Sequence, residues 1–198
     1  PDTAVRTDDG ILDVRKGRQT CPGADARVLD DAVGTDLDRL VENDLAWLAS
    51  VGARVLVSIA GNTAAEFGEV AARLADSPAF AAVVGVEVNI SCPNVANRGL
   101  VFACDPVSSD AVVRLVRDKL PAATPIFAKL TPDVTDIVTI ADAALGAGAD
   151  GLTMINTLLG MVIDTDLLRP QLAGVTGGLS GPAVRPVAVR ALWQVTAA

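Results

Sequence analysis

Val86-Glu-Val-Asn-Ile-Ser-Cys-Pro-Asn94 is an apolar, β-prone run that halts at Ser91-Cys92-Pro93. Pro93 has no backbone donor and cannot continue a sheet ladder, so the chain leaves its strand there. Asn89, Cys92 and Asn94 are thereby gathered at one strand end, where α/β proteins keep their chemistry. A thiol between two carboxamides can move a proton while the amides hold a planar polar substrate. The same residues also read as a buried cysteine with two turn asparagines, and the segment alone supports both readings.

Outward from this segment the chain alternates strands and helices. Thr35 is placed to cap a helix running to Ser50, with Leu37, Leu40, Val41, Leu45 and Leu48 on one face. Val55 to Ala60 reads as a strand, and Thr63-Ala-Ala-Glu66 as a capping box for the helix that follows. Val84 to Ile90 is the next strand, followed by a helix over Ser109 to Lys119. Ile126 to Leu130 and Leu152 to Asn156 are two more strands, separated by a helix over Asp136 to Leu145. A last helix spans Pro182 to Val195. Near-continuous apolar strands alternating with amphipathic helices predict a parallel sheet covered by helices. Four such units are legible, whereas a closed α/β barrel needs about eight.

With 198 residues, 51% of them hydrophobic, the chain can bury one substantial core. A net charge of −8 disfavours nucleic acid or an anionic membrane surface as a partner. No apolar run reaches the ~20 residues that span a bilayer. Asp2, Asp8 and Asp9 do not suit a secretory signal. Cys21, Cys92 and Cys104 are few and unpatterned, which suits a reducing, cytoplasmic setting. The absence of His excludes Cys–His and Ser–His catalysis, and no two cysteines have metal-ligand spacing, so no metal site is expected. Acid–base chemistry near neutrality then falls to Cys, Lys, Asp or Glu.

Three further motifs follow in order. Lys129 ends Pro125-Ile-Phe-Ala-Lys-Leu130; Gly151-Leu-Thr-Met-Ile-Asn-Thr157 runs on into Leu158-Leu-Gly-Met-Val-Ile-Asp164; and Gly177-Gly-Leu-Ser-Gly-Pro-Ala183 opens the last helix. With Asn89-Ile-Ser-Cys-Pro-Asn94, they resemble dihydroorotate dehydrogenase of class 1. The resemblance is closest to the catalytic subunit of the NAD-linked class 1B branch, over roughly Thr35 to Val195. It implies a TIM (β/α)8-type barrel, of which this chain supplies about four units, strands three to six. It also implies an FMN cofactor and oxidation of dihydroorotate to orotate in de novo pyrimidine (UMP) biosynthesis.

By the same resemblance Cys92 is the catalytic base that takes the C5 proton of dihydroorotate while the C6 hydride passes to the flavin. A thiol's reference pKa of ~8.5 suits reversible proton transfer near neutrality. Ser58, Asn89, Lys129, Ile155 and Gly181 are the implied FMN contacts, with Lys129 at the N1/O2 edge where negative charge collects on reduction. Asn89, Asn94, Asn156 and Thr157 are the implied substrate contacts. Ser58 stands where the family usually has Asn. Val95 to Asp105 is the expected mobile segment over the substrate, with Gly99 as its hinge, and Cys104 is expected to pack. In this branch a partner subunit carrying FAD and an iron–sulfur cluster passes electrons to NAD. The isolated cysteines here do not suit such a cluster. A homo-oligomer, with that electron-transfer subunit attached, is the implied assembly.

Residues 1–34 depart from the family; they are polar, aperiodic and rich in Asp and Arg. Where the family has a substrate loop resembling N-x-I-G-L-x-N, this chain has Gly10-Ile-Leu-Asp-Val-Arg-Lys-Gly-Arg-Gln-Thr20. Asp13, in place of the first amide, would repel the substrate's carboxylate. The chain thus reads as an atypical polar segment, residues 1–34, before a partial FMN-dependent barrel domain, residues 35–198. A fragment, a truncated gene product or a degenerate copy, impaired as an isolated chain, all fit that pattern. Two other readings stand beside it. A flavin-dependent dihydropyrimidine dehydrogenase shares the barrel and the cysteine base, but normally has His where this chain has Asn94. The other is a non-catalytic half-barrel.

Overall fold

Alternation along each strand gives the sheet two unlike faces. The computed structural model describes residues 44–91 and 102–198. Within them, β1 (Val55–Ile59), β2 (Val83–Val88), β3 (Ile126–Lys129) and β4 (Gly151–Thr153) form a four-stranded parallel sheet in chain order. Val57 lies beside Val86, Ile59 beside Val88, and Val88 beside Ala128. This row is apolar, and Val86, Val88 and Ala128 are fully buried. The alternate row is Ser58, Glu87, Phe127 and Gly151, joined one step further by Lys129 beside Thr153. The four predicted units are therefore present as a partial α/β fold.

The apolar row is covered by α2 (Ala64–Ala75), α3 (Pro106–Lys119), α4 (Ile137–Gly146) and α5 (Arg185–Thr196), each packed on the next; α1 (Ala46–Ser50) precedes β1. Their starts are fixed by side chains. Thr63 Oγ1 accepts from Glu66 N at 3.2 Å, as a capping box requires, but Glu66 Oε2 accepts from Asn62 N at 2.8 Å, one residue before the cap. Helix α3 begins three residues before the predicted Ser109. Asp105 Oδ2 accepts from Ser108 N at 2.8 Å and Oγ at 2.6 Å, and Pro106 occupies a first-turn position that has no intrahelical donor to lose. Asp136 caps α4 through Val138 N and Thr139 N. The predicted helix from Pro182 is split into a 3-10 turn, Pro182–Val184, and α5. The strand predicted to reach Asn156 stops at Thr153. The helix predicted from Thr35 is described only from residue 44. Residues 1–34, with Asp13 and Cys21, lie outside the described residues, as do Cys92, Asn94 and Gly99.

Two contacts set the sheet's interior and its lower end. A Cβ on Gly85 would meet the Phe127 ring at 3.3 Å and Leu56 Cδ1 at 3.0 Å, and one on Gly151 would meet the opposite ring edge at 3.0 Å. Phe127 therefore lies across both neighbouring strands, close enough that a Cβ on either glycine would crowd its ring. At the strands' N-terminal end Arg117 ties α3 to the sheet. Its guanidinium donates to Gly148 O (3.1 Å), Thr124 O (2.9 Å) and Asp150 Oδ2 (2.6 Å), and Asp150 Oδ2 also accepts from Ile126 N at 2.8 Å.

Between β4 and α5 the chain runs out into an arm of two antiparallel pairs. β5 (Leu158–Gly160) pairs with β8 (Gly177–Leu179), and β6 (Ile163–Asp164) with β7 (Arg169–Pro170). Asp133 Oδ2, in the loop after β3, accepts from Leu159 N at 2.9 Å and anchors the arm's base. No helix among the described residues is long and apolar enough to cross a membrane.

Candidate active site

Two hydrogen-bonded clusters sit at the C-terminal ends of the strands. In the first, Glu87 on β2 takes both of its bonds on Oε1: from Ser58 Oγ on β1 at 2.8 Å and from Lys129 Nζ on β3 at 3.1 Å. The side chains of Lys129 and Glu87 are only 11% and 10% exposed, so this is a buried ion pair. An unpaired charge there would cost several kcal/mol, which the pairing offsets. Nζ carries three N–H groups and spends one on Glu87. No further bond reaches Glu87 Oε2 from the described residues.

The second cluster joins β2's exit to β4's. Asn156, 5% exposed, donates from Nδ2 to Ser91 O and Ser91 Oγ, both at 3.0 Å, and to Asn89 Oδ1 at 3.2 Å. Its Oδ1 accepts from Thr157 N at 2.8 Å. Ser91 Oγ donates to Asn89 Oδ1 at 3.2 Å, so two donors fix which end of the Asn89 amide is oxygen. The Asn89 NH2 group is thereby left unspent among the described residues, while that of Asn156 is consumed internally. Asn89 also follows Glu87 at the two-residue spacing that keeps it on the same face of the strand.

Of the residues singled out in the sequence, Ser58 and Lys129 therefore meet through Glu87, and Asn89, Asn156 and Thr157 form one network. Ile155 packs, half-buried, against the apolar core. Gly181 ends the arm at φ +90°, a backbone shape that glycine adopts without strain, and no hydrogen bond among the described residues joins it to either cluster. Cys92 and Asn94 lie outside the described residues, immediately beyond Ser91. Cys104 is exposed rather than packed; partial burial of its thiol first, and the charge of Asp133 second, push its pKa up. That disfavours it as a base near neutrality.

Glu87 is the member of these clusters that the sequence did not single out. The available signal was its period: Glu87 and Asn89 are the two polar positions on one face of Val86-Glu-Val-Asn-Ile90. Taken together, a buried ammonium with two unspent N–H groups and a free carboxamide NH2 suit a planar ligand presenting an edge of carbonyl oxygen and ring nitrogen. The donor set therefore fits the pyrimidine edge of a flavin.

Residues 32–198 match the sequence profile of the family described as "Dihydroorotate dehydrogenase". The chain belongs to the dihydroorotate dehydrogenase family. It is 52% identical over 159 residues to the "Dihydroorotate dehydrogenase B (NAD(+)), catalytic subunit" of Geobacter sp. (strain M21), covering 80% of this chain and 50% of that protein. The protein of the same name from Desulforudis audaxviator (strain MP104C) is 55% identical over 159 residues, again covering 80% of this chain and 50% of the relative. The chain thus spans about half the length of the curated relatives it matches. A crystal structure of dihydroorotate dehydrogenase from Eimeria tenella, in complex with ferulenol, aligns with a TM-score of 0.57 at 19% identity, over 81% of this chain and 47% of that one. That likeness is one of fold, and it agrees with the barrel architecture expected of the family.

Proposed function

We propose that this chain carries part of the active site of an NAD-linked, class 1B dihydroorotate dehydrogenase catalytic subunit. The reaction is oxidation of dihydroorotate to orotate with FMN, in the cytoplasmic route to UMP. The observation that carries the reading is the buried Lys129–Glu87 pair, with Asn89 beyond it, at the C-terminal ends of adjacent parallel strands in a chain of this family. FMN, when bound, supplies the two-electron acceptor. Lys129 Nζ and Asn89 Nδ2 offer donors to its carbonyl-rich edge, Ser58 bounds that edge, and Ile155 and Gly181 supply apolar and backbone contacts. Cys92 Sγ takes the C5 proton of the substrate. Asn89, Asn94, Asn156 and Thr157 hold the pyrimidine ring, Asn156 chiefly by fixing the turn at Ser91.

The relatives' printed name, an NAD(+)-linked catalytic subunit, supports an electron-transfer subunit as a partner. In this reading that subunit carries FAD and an iron–sulfur cluster, and a second copy of this chain completes the assembly. Asn94 favours dihydroorotate over a dihydropyrimidine lacking the carboxylate, since the dihydropyrimidine enzymes normally have His there. The test fuses residues 35–198 to the remaining strands of one of the relatives above and loads the fusion with FMN. Anaerobic dihydroorotate should bleach the flavin's visible absorbance, while dihydrouracil should not. A flavin that neither compound bleaches would remove the reading.

A further inference from the structure

We infer that Glu87 is a positioning residue that sets both the place and the effective charge of Lys129. The inference rests on the proposed role of Lys129 at the flavin's anionic edge, and goes beyond it. Three observations carry it. The carboxylate is nine-tenths buried, yet its two hydrogen bonds both end on one oxygen, so the pair is not saturated by its own surroundings. A buried ion pair is a poor way to stabilise a fold, because desolvating two charges offsets most of their attraction, and an apolar pair of similar volume is often at least as stable. Ser58 supplies a second donor to the same oxygen from the other neighbouring strand, which holds the carboxylate between β1 and β3.

The consequence is a graded charge. An ammonium alone at a strand end would favour an anionic ligand strongly over a neutral one of the same shape. Paired with Glu87 at 3.1 Å, it presents a dipole instead, whose preference for the anion is weaker. Glu87 thus tempers how much Lys129 favours the reduced, anionic flavin over the oxidised, neutral one. It also keeps the Lys129 side chain inward when no ligand is present.

The experiment compares the 198-residue wild type with Glu87→Gln, Glu87→Asp, Ser58→Ala, Lys129→Met and the double variant Glu87→Gln/Lys129→Met. One readout is acylation of lysines by an amine-directed reagent, located by mass spectrometry, with exposed Lys119 as internal standard. Relative to Lys119, Lys129 should react on the order of tenfold faster in Glu87→Gln, the loss of one charge-assisted contact. It should stay slow in Ser58→Ala and return toward wild type in Glu87→Asp. Equal rates in wild type and Glu87→Gln, or equal acceleration by Ser58→Ala or Glu87→Asp, would overturn the inference.

The other readout, taken on the fusion described above carrying the same substitutions, is the ratio of affinities for oxidised and chemically reduced FMN. Glu87→Gln should move it toward the reduced form, Lys129→Met the opposite way, and the double variant should match Lys129→Met. If Lys129→Met leaves the ratio unchanged, or no FMN is retained, the flavin reading of Lys129 fails, and acylation alone decides Glu87. If Lys129→Met moves the ratio and Glu87→Gln does not, the inference about Glu87 fails while the flavin reading stands.

Discussion

Asn156 holds Ser91 by two hydrogen bonds of 3.0 Å, one to its carbonyl and one to its hydroxyl, across 65 residues of sequence. The exit of β4 thereby fixes the exit of β2, immediately before Cys92. Asn156→Ala should leave both Ser91 acceptors without their buried donor and cost about 1–3 kcal/mol, read as a lower Tm and denaturation midpoint. Asn156→Asp should be worse, because it sets a carboxylate against three acceptors. An aspartate variant as stable as wild type would show that the network does not order this turn.

Cys92→Ser, in the FMN-loaded fusion described above, should lower turnover by orders of magnitude at neutral pH. A serine hydroxyl does not ionise in the range where a thiol does. Part of the activity should return as pH rises. Near-wild-type turnover at neutral pH would take Cys92 out of the proton transfer.

The caps of α3 and α4 predict the form of the acid limb. The Ser108 side chain holds the Asp105 carboxyl below the usual carboxylate range, and the Thr139 side chain does the same for Asp136. A carboxyl whose folded pKa is depressed contributes stability above its unfolded value, and that contribution is lost as pH falls through the folded one. Asp105→Asn and Asp136→Asn keep a capping oxygen but do not titrate. Each variant should therefore lose less Tm than wild type between about pH 5 and the bottom of the carboxylate range. Parallel Tm profiles down to strong acid would contradict the cap assignments.

How much of this was legible beforehand depended on sequence distance. Val55 to Ile59 announces itself as a strand because its neighbours in sequence report its burial. Asp105 did not announce itself as a cap, since Pro106 beside it reads equally as loop. The arm escaped the sequence reading because strands of two or three residues are too short to show a period. Glu87 escaped for a different reason: its partners Ser58 and Lys129 lie 29 and 42 residues away, and only the parallel register brings them together. Tertiary pairing of that kind has no local signature.

The arm and α5 also predict solution behaviour. Leu168 is 83% exposed and Trp193 71%, and Met161, Val162, Leu167, Val189 and Leu192 are exposed beside them in sequence. Apolar area on this scale marks a surface that associates. The 198-residue chain purified alone should therefore sediment as dimers or larger species, and Leu168→Lys with Trp193→Lys should shift it toward monomer. A monodisperse wild-type monomer would count against this.

Phe127 ties three positions on three strands into one steric unit, because its ring occupies the space that side chains at 85 and 151 would need. Drift at these sites is coupled: a methyl gained at Gly151 would press on the ring at 127, and one gained at Gly85 would press on that ring and on Leu56 as well. The ring also lies on the same strand face as Lys129, two residues before it. Any change that relieves that crowding therefore falls on the strand face that also carries the buried ammonium. Selection on packing and selection on chemistry meet at that residue, which itself carries no polar atom in its side chain.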